Sequence, residues 1–119
     1  MKKDDAVYLH HILDAIERIA GYVQGVSAKQ FLENALIQDG VVHQLEIAGE
    51  ASRNLSNEVR QKYSGVPWSQ IIGLRNRIIH VYFNVNLRIV WEIVQNDLPL
   101  LKQQVGQILE EIERSRAEE

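Results

Sequence analysis

The chain is predicted to be all-α, an antiparallel bundle of four to five helices forming one domain over residues 1–119. Apolar residues recur at three- and four-residue steps through several long stretches, which is the helical period. No strand-like alternation of useful length and no internal repeat compete with it. Turn-forming residues fall between these stretches, and connections so short place successive helices antiparallel. A chain of 119 residues supports a single core.

Ala6, Leu9, Leu13, Ile16, Ala20 and Val23 make one face of a first helix over residues 6–23, ending near Gly25. Ser27-Ala28-Lys29-Gln30 matches a capping box and starts a short helix to about Ile37. Asp39-Gly40 is read as an interruption, with a third helix from Val41 towards Leu55. Ser56-Asn57-Glu58 restarts the chain as a short helix, and Ser64-Gly65-Val66-Pro67 is a loop. Pro67 then suits the first turn of a fourth helix. Phe83 to Asn86 breaks the pattern, and Asn86 is placed to cap the last helix. Pro99 should kink or split that helix after Leu98, and the charged tail from about 110 to 119 should fray.

Composition excludes several classes. The chain is 45% hydrophobic and 24% charged, and no apolar run approaches the roughly 18 residues of a membrane span, so no membrane partner is expected. Met1 to Asp5 lacks the apolar core of a secretory leader. Cysteine is absent, which rules out disulfides and thiolate metal sites and suits a reducing, cytoplasmic location. A net charge of −3 argues against coating nucleic acid by bulk electrostatics. The charge is unevenly spread. Residues 1–52 carry four Lys/Arg against eight Asp/Glu, residues 53–88 six against one, and residues 89–119 three against seven. The balances are −4, +5 and −4. A positive middle framed by acidic ends fits a local anion site, or else a chance clustering on a solvated face.

Within that middle, residues 75–82 read Arg-Asn-Arg-Ile-Ile-His-Val-Tyr inside an otherwise apolar helical run. On an ideal helix at about 100° per residue, Ile71, Ile72, Leu74, Ile78, Ile79 and Val81 cover half the circumference. Arg75 then falls inside the apolar arc and His80 opposite it, with Asn76 and Arg77. A guanidinium aimed into an apolar face is costly unless an anion meets it. Metal-free RNA cleavage needs a base for the 2′-hydroxyl, an acid for the leaving oxygen and positive charge at the phosphorane. Histidine suits the first two and arginine the third. One such pair five residues apart also fits a surface histidine and a salt-bridged arginine.

Arg75-Asn76, three residues, then His80-Val81-Tyr82 resembles the Arg-x4-His-x-Tyr signature of the HepT-type HEPN (higher eukaryote and prokaryote nucleotide-binding) ribonuclease toxins. The likeness extends to Tyr8-Leu9 and Ile12, Gly49-Glu50-Ala51, Val66-Pro67-Trp68, Val90-Trp91 and Leu98-Pro99, with no departure at the motif. It implies an HEPN-like helical toxin of a type VII-like toxin–antitoxin pair, a metal-independent endoribonuclease leaving a 2′,3′-cyclic phosphate. It further implies a homodimer with both motif segments facing one cleft. The partner would be a minimal nucleotidyltransferase antitoxin that moves AMP from ATP onto the motif tyrosine. By position, Arg75 would hold the scissile phosphate, His80 would transfer protons, Asn76 would orient the site, and Tyr82 would be AMPylated. The alternative is a catalytically inactive helical dimer, serving as an RNA-binding or nucleotidyltransferase-partner module.

Arg75 and His80 lie about 140° apart on a straight helix. Either the helix unwinds near His80 or the second protomer completes the site. His10, His11 and His43 come without a matching acidic cluster, so no metal is expected. Without a Gly-rich phosphate loop, no cofactor is expected either. Trp68 and Trp91 suit the core better than base stacking, and Glu50 is either a buried partner of Arg75 or a helix-face acid.

Overall fold

The computed structural model describes residues 4–78 and 85–118, and these contain helices and no strand. Two 19-residue helices form the centre, α1 (Asp5–Val23) and α3 (Ala35–Arg53). Their apolar stripes meet through Leu9, Ile12, Ile16 and Ile19 on α1 and Val41, Leu45 and Ala48 on α3, all buried. Asp5 fixes their relative direction. Its carboxylate, fully enclosed, accepts hydrogen bonds from the Ser56 backbone N–H (2.8 Å) and the Ser56 hydroxyl (2.7 Å), just past the end of α3. The beginning of α1 therefore touches the end of α3, and the pair is antiparallel. Ser56 Oγ in turn accepts from the Val59 N–H and caps α4 (Asn57–Lys62), so one buried carboxylate ties two helix beginnings together.

Gly25 takes a positive φ of 72° and turns the chain out of α1, a conformation costly for any residue with a Cβ. The capping box expected at Ser27 is present, with both reciprocal bonds formed, and opens α2 (Ala28–Glu33). The next helix differs from its expected bounds. The break falls at Asn34, whose side chain caps Ile37 N–H, and α3 then runs through Asp39-Gly40 without interruption. Gly40 serves packing there: a Cβ would sit 3.2 Å from the Tyr22 ring.

Trp68 opens α5 (Trp68–Ile72) after Pro67, buries its ring and donates from Nε1 to the Tyr63 carbonyl. A second short helix, α6 (Leu74–Ile78), follows at once, and both pack on α3. Asn86 caps α7 (Leu87–Glu92) as expected, with Oδ1 accepting from Ile89 N–H. Trp91 lies beside Phe31 of α2 with ring centroids 5.1 Å apart.

Pro99 does not split the last helix. Residues Ile93–Asp97 form one π turn, in which Leu98 N–H reaches back five residues to Ile93 O, and α8 (Leu98–Ala117) continues from there. Proline lacks an N–H and crowds the carbonyl four residues back, and the widened turn takes up that misfit. Among the described residues the tail stays helical to Ala117 rather than fraying. Ile112 is buried, Tyr63 donates to Glu111 (2.5 Å), and His10 on α1 meets Glu113 (3.2 Å). That last contact sets α8 antiparallel to α1. No helix of the described residues is long and apolar enough to cross a membrane.

Candidate active site beside the Arg75 helix

The stretch expected to be one helix breaks at Gly73. Its N–H bonds back to Ser69 O at 3.0 Å and its own carbonyl accepts from Arg77, so the backbone stays bonded while Gly73 itself leaves helical geometry (φ −85°, ψ 7°). A side chain at that position would crowd Ser69 O at 3.2 Å. The break redraws the apolar arc. On α6 only Leu74 and Ile78, four residues apart, point inward, and Arg75, Asn76 and Arg77 are all exposed. The expectation of Arg75 in an apolar face is thus corrected: the buried stripe is the narrower set Ile71, Leu74 and Ile78, and Arg75 lies outside it.

Arg75 and Arg77 leave opposite flanks of α6. Arg77 reaches Asp97 in the π turn, Nη1 to Oδ2 3.4 Å. Arg75 turns the other way, into a cleft of about 380 Å³ between α3 and the α5–α6 pair. The wall from α3 is a single stripe, His43, Glu46, Glu50 and Arg53, at steps of three, four and three. Its floor is apolar, with Leu45, Ile72 and Leu74, and at Gly49 the two helices come close enough that a Cβ would stand 3.0 Å from Ile71 O. Among the described residues the Arg75 guanidinium has no hydrogen-bond or ion-pair partner. Glu50 is exposed and lies 4.0 Å from Arg53, so of the two readings for it the helix-face acid holds.

The far edge of the site is set by the return of the chain. Asn86 N–H donates to Ile78 O at 2.7 Å, which draws the start of α7 against the end of α6. His43 and Glu46 also line the neighbouring hollow beside Val85 and Leu87. The two α3 side chains therefore border both the cleft that holds Arg75 and the hollow at the start of α7. His80 and Tyr82 themselves, and any unwinding of the helix near His80, lie outside the described residues. Asn76 is exposed on α6. Among the described residues no three His, Asp or Glu side chains gather to hold a metal ion.

Sequence reasoning missed the α3 wall. Its signal was available in the spacing of His43, Glu46, Glu50 and Arg53, which puts all four on one helical face. The whole stripe lay inside the helix expected from Val41 towards Leu55, but nothing local tied that face to Arg75.

A family model described as ribonuclease HepT-like matches residues 12–108, which takes in α1 through most of α8 and the whole cleft. The chain belongs to the HepT-like ribonuclease family. It is 39% identical over 116 residues to a Methanocaldococcus jannaschii protein named "Gamma-glutamylcyclotransferase and putative RNase". That match covers 98% of this chain but only 52% of the relative, so this HepT-like chain spans about half of that protein's length. A "Putative RNase" of Caldanaerobacter subterraneus subsp. tengcongensis is 44% identical over 103 residues, 87% of this chain and 92% of the relative. A "Probable ribonuclease HepT" of Thermococcus cleftensis is 36% identical over 102 residues, 86% and 93% of the two chains. No solved structure matches the chain.

Proposed function

We propose that this HepT-like chain is an endoribonuclease that works without a metal ion and leaves a 2′,3′-cyclic phosphate. The observation that carries the reading is Arg75, exposed in a cleft, held by fixed helices and without a counter-ion among the described residues. An arginine buried in the core would be paired to a carboxylate. One left open at a concave site matches the forked geometry of a phosphate. Arg75 would bind the scissile phosphate and stabilise the charge that builds on its oxygens. His80, five residues on, would take the 2′-hydroxyl proton and return one to the leaving 5′-oxygen, alone or with its counterpart across a dimer. Asn76 would orient the phosphate.

The same reading makes the chain the toxin of a toxin–antitoxin pair, silenced when a minimal nucleotidyltransferase transfers AMP to Tyr82. The phenolic oxygen would attack the α-phosphorus of ATP, pyrophosphate would leave, and the phenol proton would pass to a base of the partner. The adduct would place a bulky purine and about one negative charge where RNA phosphate must bind.

The deciding experiment is cleavage of total RNA in excess EDTA. Wild-type protein should yield fragments ending in 2′,3′-cyclic phosphate, and Arg75→Ala and His80→Ala, with unchanged circular dichroism, should yield none. Activity that requires Mg²⁺, or that survives both substitutions, contradicts the reading. A wild-type protein that binds RNA and leaves it intact would instead be the inactive binding module.

A further inference from the structure

The α3 wall contributes a second cation to the cleft that holds Arg75. Arg53 ends the stripe begun by His43, on the last turn of α3, and is exposed along with Arg75. Among the described residues its only ion pair is with Glu50, at the outer limit of 4.0 Å, and both side chains are more than 60% open to solvent (63% and 64%). Such a pair is held weakly and exchanges readily for a better acceptor. A phosphodiester is one, because it offers two oxygens to the guanidinium fork. Arg53 comes from a different element than Arg75, so the two cations are positioned independently, and the floor between them is apolar.

We infer that the cleft is a track for single-stranded RNA and that Arg53 binds a phosphate next along the strand from the one held by Arg75. The inference rests on the ribonuclease reading above and extends it to substrate length. Half-buried Ile72, backed by Leu45 and Leu74, gives a ribose or base an apolar surface on which to rest, while Glu46 and Glu50 repel phosphate from the middle of the wall and leave it the two arginines. Glu50 is the resting counter-ion of Arg53, released when RNA enters. Arg53 takes no part in proton transfer. It is a binding and positioning residue, whose loss raises KM on longer substrates.

The test uses the full chain and two uncleavable probes, a 2′-O-methyl dinucleotide with one phosphate and a 2′-O-methyl tetranucleotide with three, by fluorescence anisotropy. Wild-type protein should bind the tetranucleotide several-fold more tightly. Arg53→Gln should lose most of that gain and leave the dinucleotide unaffected, and Arg53→Lys should restore part of it. Removing one phosphate contact lowers the slope of log K against log salt by about 0.7 for a single strand, so Arg53→Gln should show that drop on the tetranucleotide alone. Glu50→Gln should tighten the tetranucleotide. If Arg53→Gln binds both probes with wild-type affinity and salt slope, the inference is wrong even if the wild-type protein cleaves RNA. If the wild-type protein neither binds the probes nor cleaves RNA, the ribonuclease reading falls and this one with it.

Discussion

Gly49 controls how near the motif helices come to α3. A Cβ there would meet the Ile71 carbonyl at 3.0 Å, and that oxygen belongs to backbone that cannot rotate aside. Gly49→Ala should therefore push α5 outward. Overpacking costs about 1–3 kcal/mol and better helix propensity returns at most about 1, so a net loss of about 1–2 kcal/mol is expected in urea denaturation. The cleft would widen with it, and RNA cleavage should fall further than stability alone explains. Tyr63 offers a second test. Burial, then its hydrogen bond to Glu111 and the charge of that carboxylate, push its phenol up from 10.0 to about 12. The folded protein thus holds the proton more tightly than the unfolded chain. The contribution is complete below pH 10 and is lost as pH rises from there through about 12. The pair sits at the surface, so its worth is at most about 1 kcal/mol. Stability curves measured across this alkaline range should be flatter for Tyr63→Phe than for the wild type.

At the scale of elements, the caps were the most legible features. Ser27, Ser56 and Asn86 each accept from the N–H three residues on, because short polar side chains before an apolar run have few other partners. Glycines were the least legible. Gly25 ends a helix, Gly40 and Gly49 sit within one to admit a neighbour, and Gly73 divides one, and nothing local distinguishes these roles. That ambiguity misplaced the start of α3, whereas Arg75 and Asn76 were singled out by a resemblance that does not depend on where the helices break. The expected fraying of the tail failed for a similar reason: Ile112 is one apolar residue among charges, but Tyr63 and His10 from other elements hold its neighbours. Truncation after Leu109 exposes Ile112's partners and removes both contacts. It should cost about 2–4 kcal/mol, read as a fall of roughly 10 °C or more in Tm.

The whole molecule is thin for its length. Its extents are 51 × 30 × 20 Å and its radius of gyration is 15.1 Å, against about 13.5 Å for a compact chain of this size. Twenty ångströms is about two helix diameters, so the bundle is a two-layer slab with broad faces to solvent. Leu36, Leu100 and Val7 are large apolar residues left exposed on it. A slab of this shape buries less of its surface than a sphere, and pairing with a second copy is the economical remedy. The proposed homodimer should give twice the chain mass of 13.7 kDa by light scattering at micromolar concentration. A single-chain mass at every concentration would leave the proposed shared cleft without its second half.

The π turn acts as a phase shifter. The buried positions Val90, Val94, Leu98, Leu101, Val105, Ile108 and Ile112 read as one unbroken stripe, yet α7 packs on α2 and α6 while α8 packs on α1. One extra residue in a single turn retards the screw by up to about 100°, and that is how one continuous helix serves two differently oriented faces. Deleting Gln95 would restore a regular helix and misalign one face with the other. Because Asp97 would move with it, the deletion should also separate Arg77 from its carboxylate, while a deletion in an exposed turn such as Gly65 should be far milder in the same thermal melt.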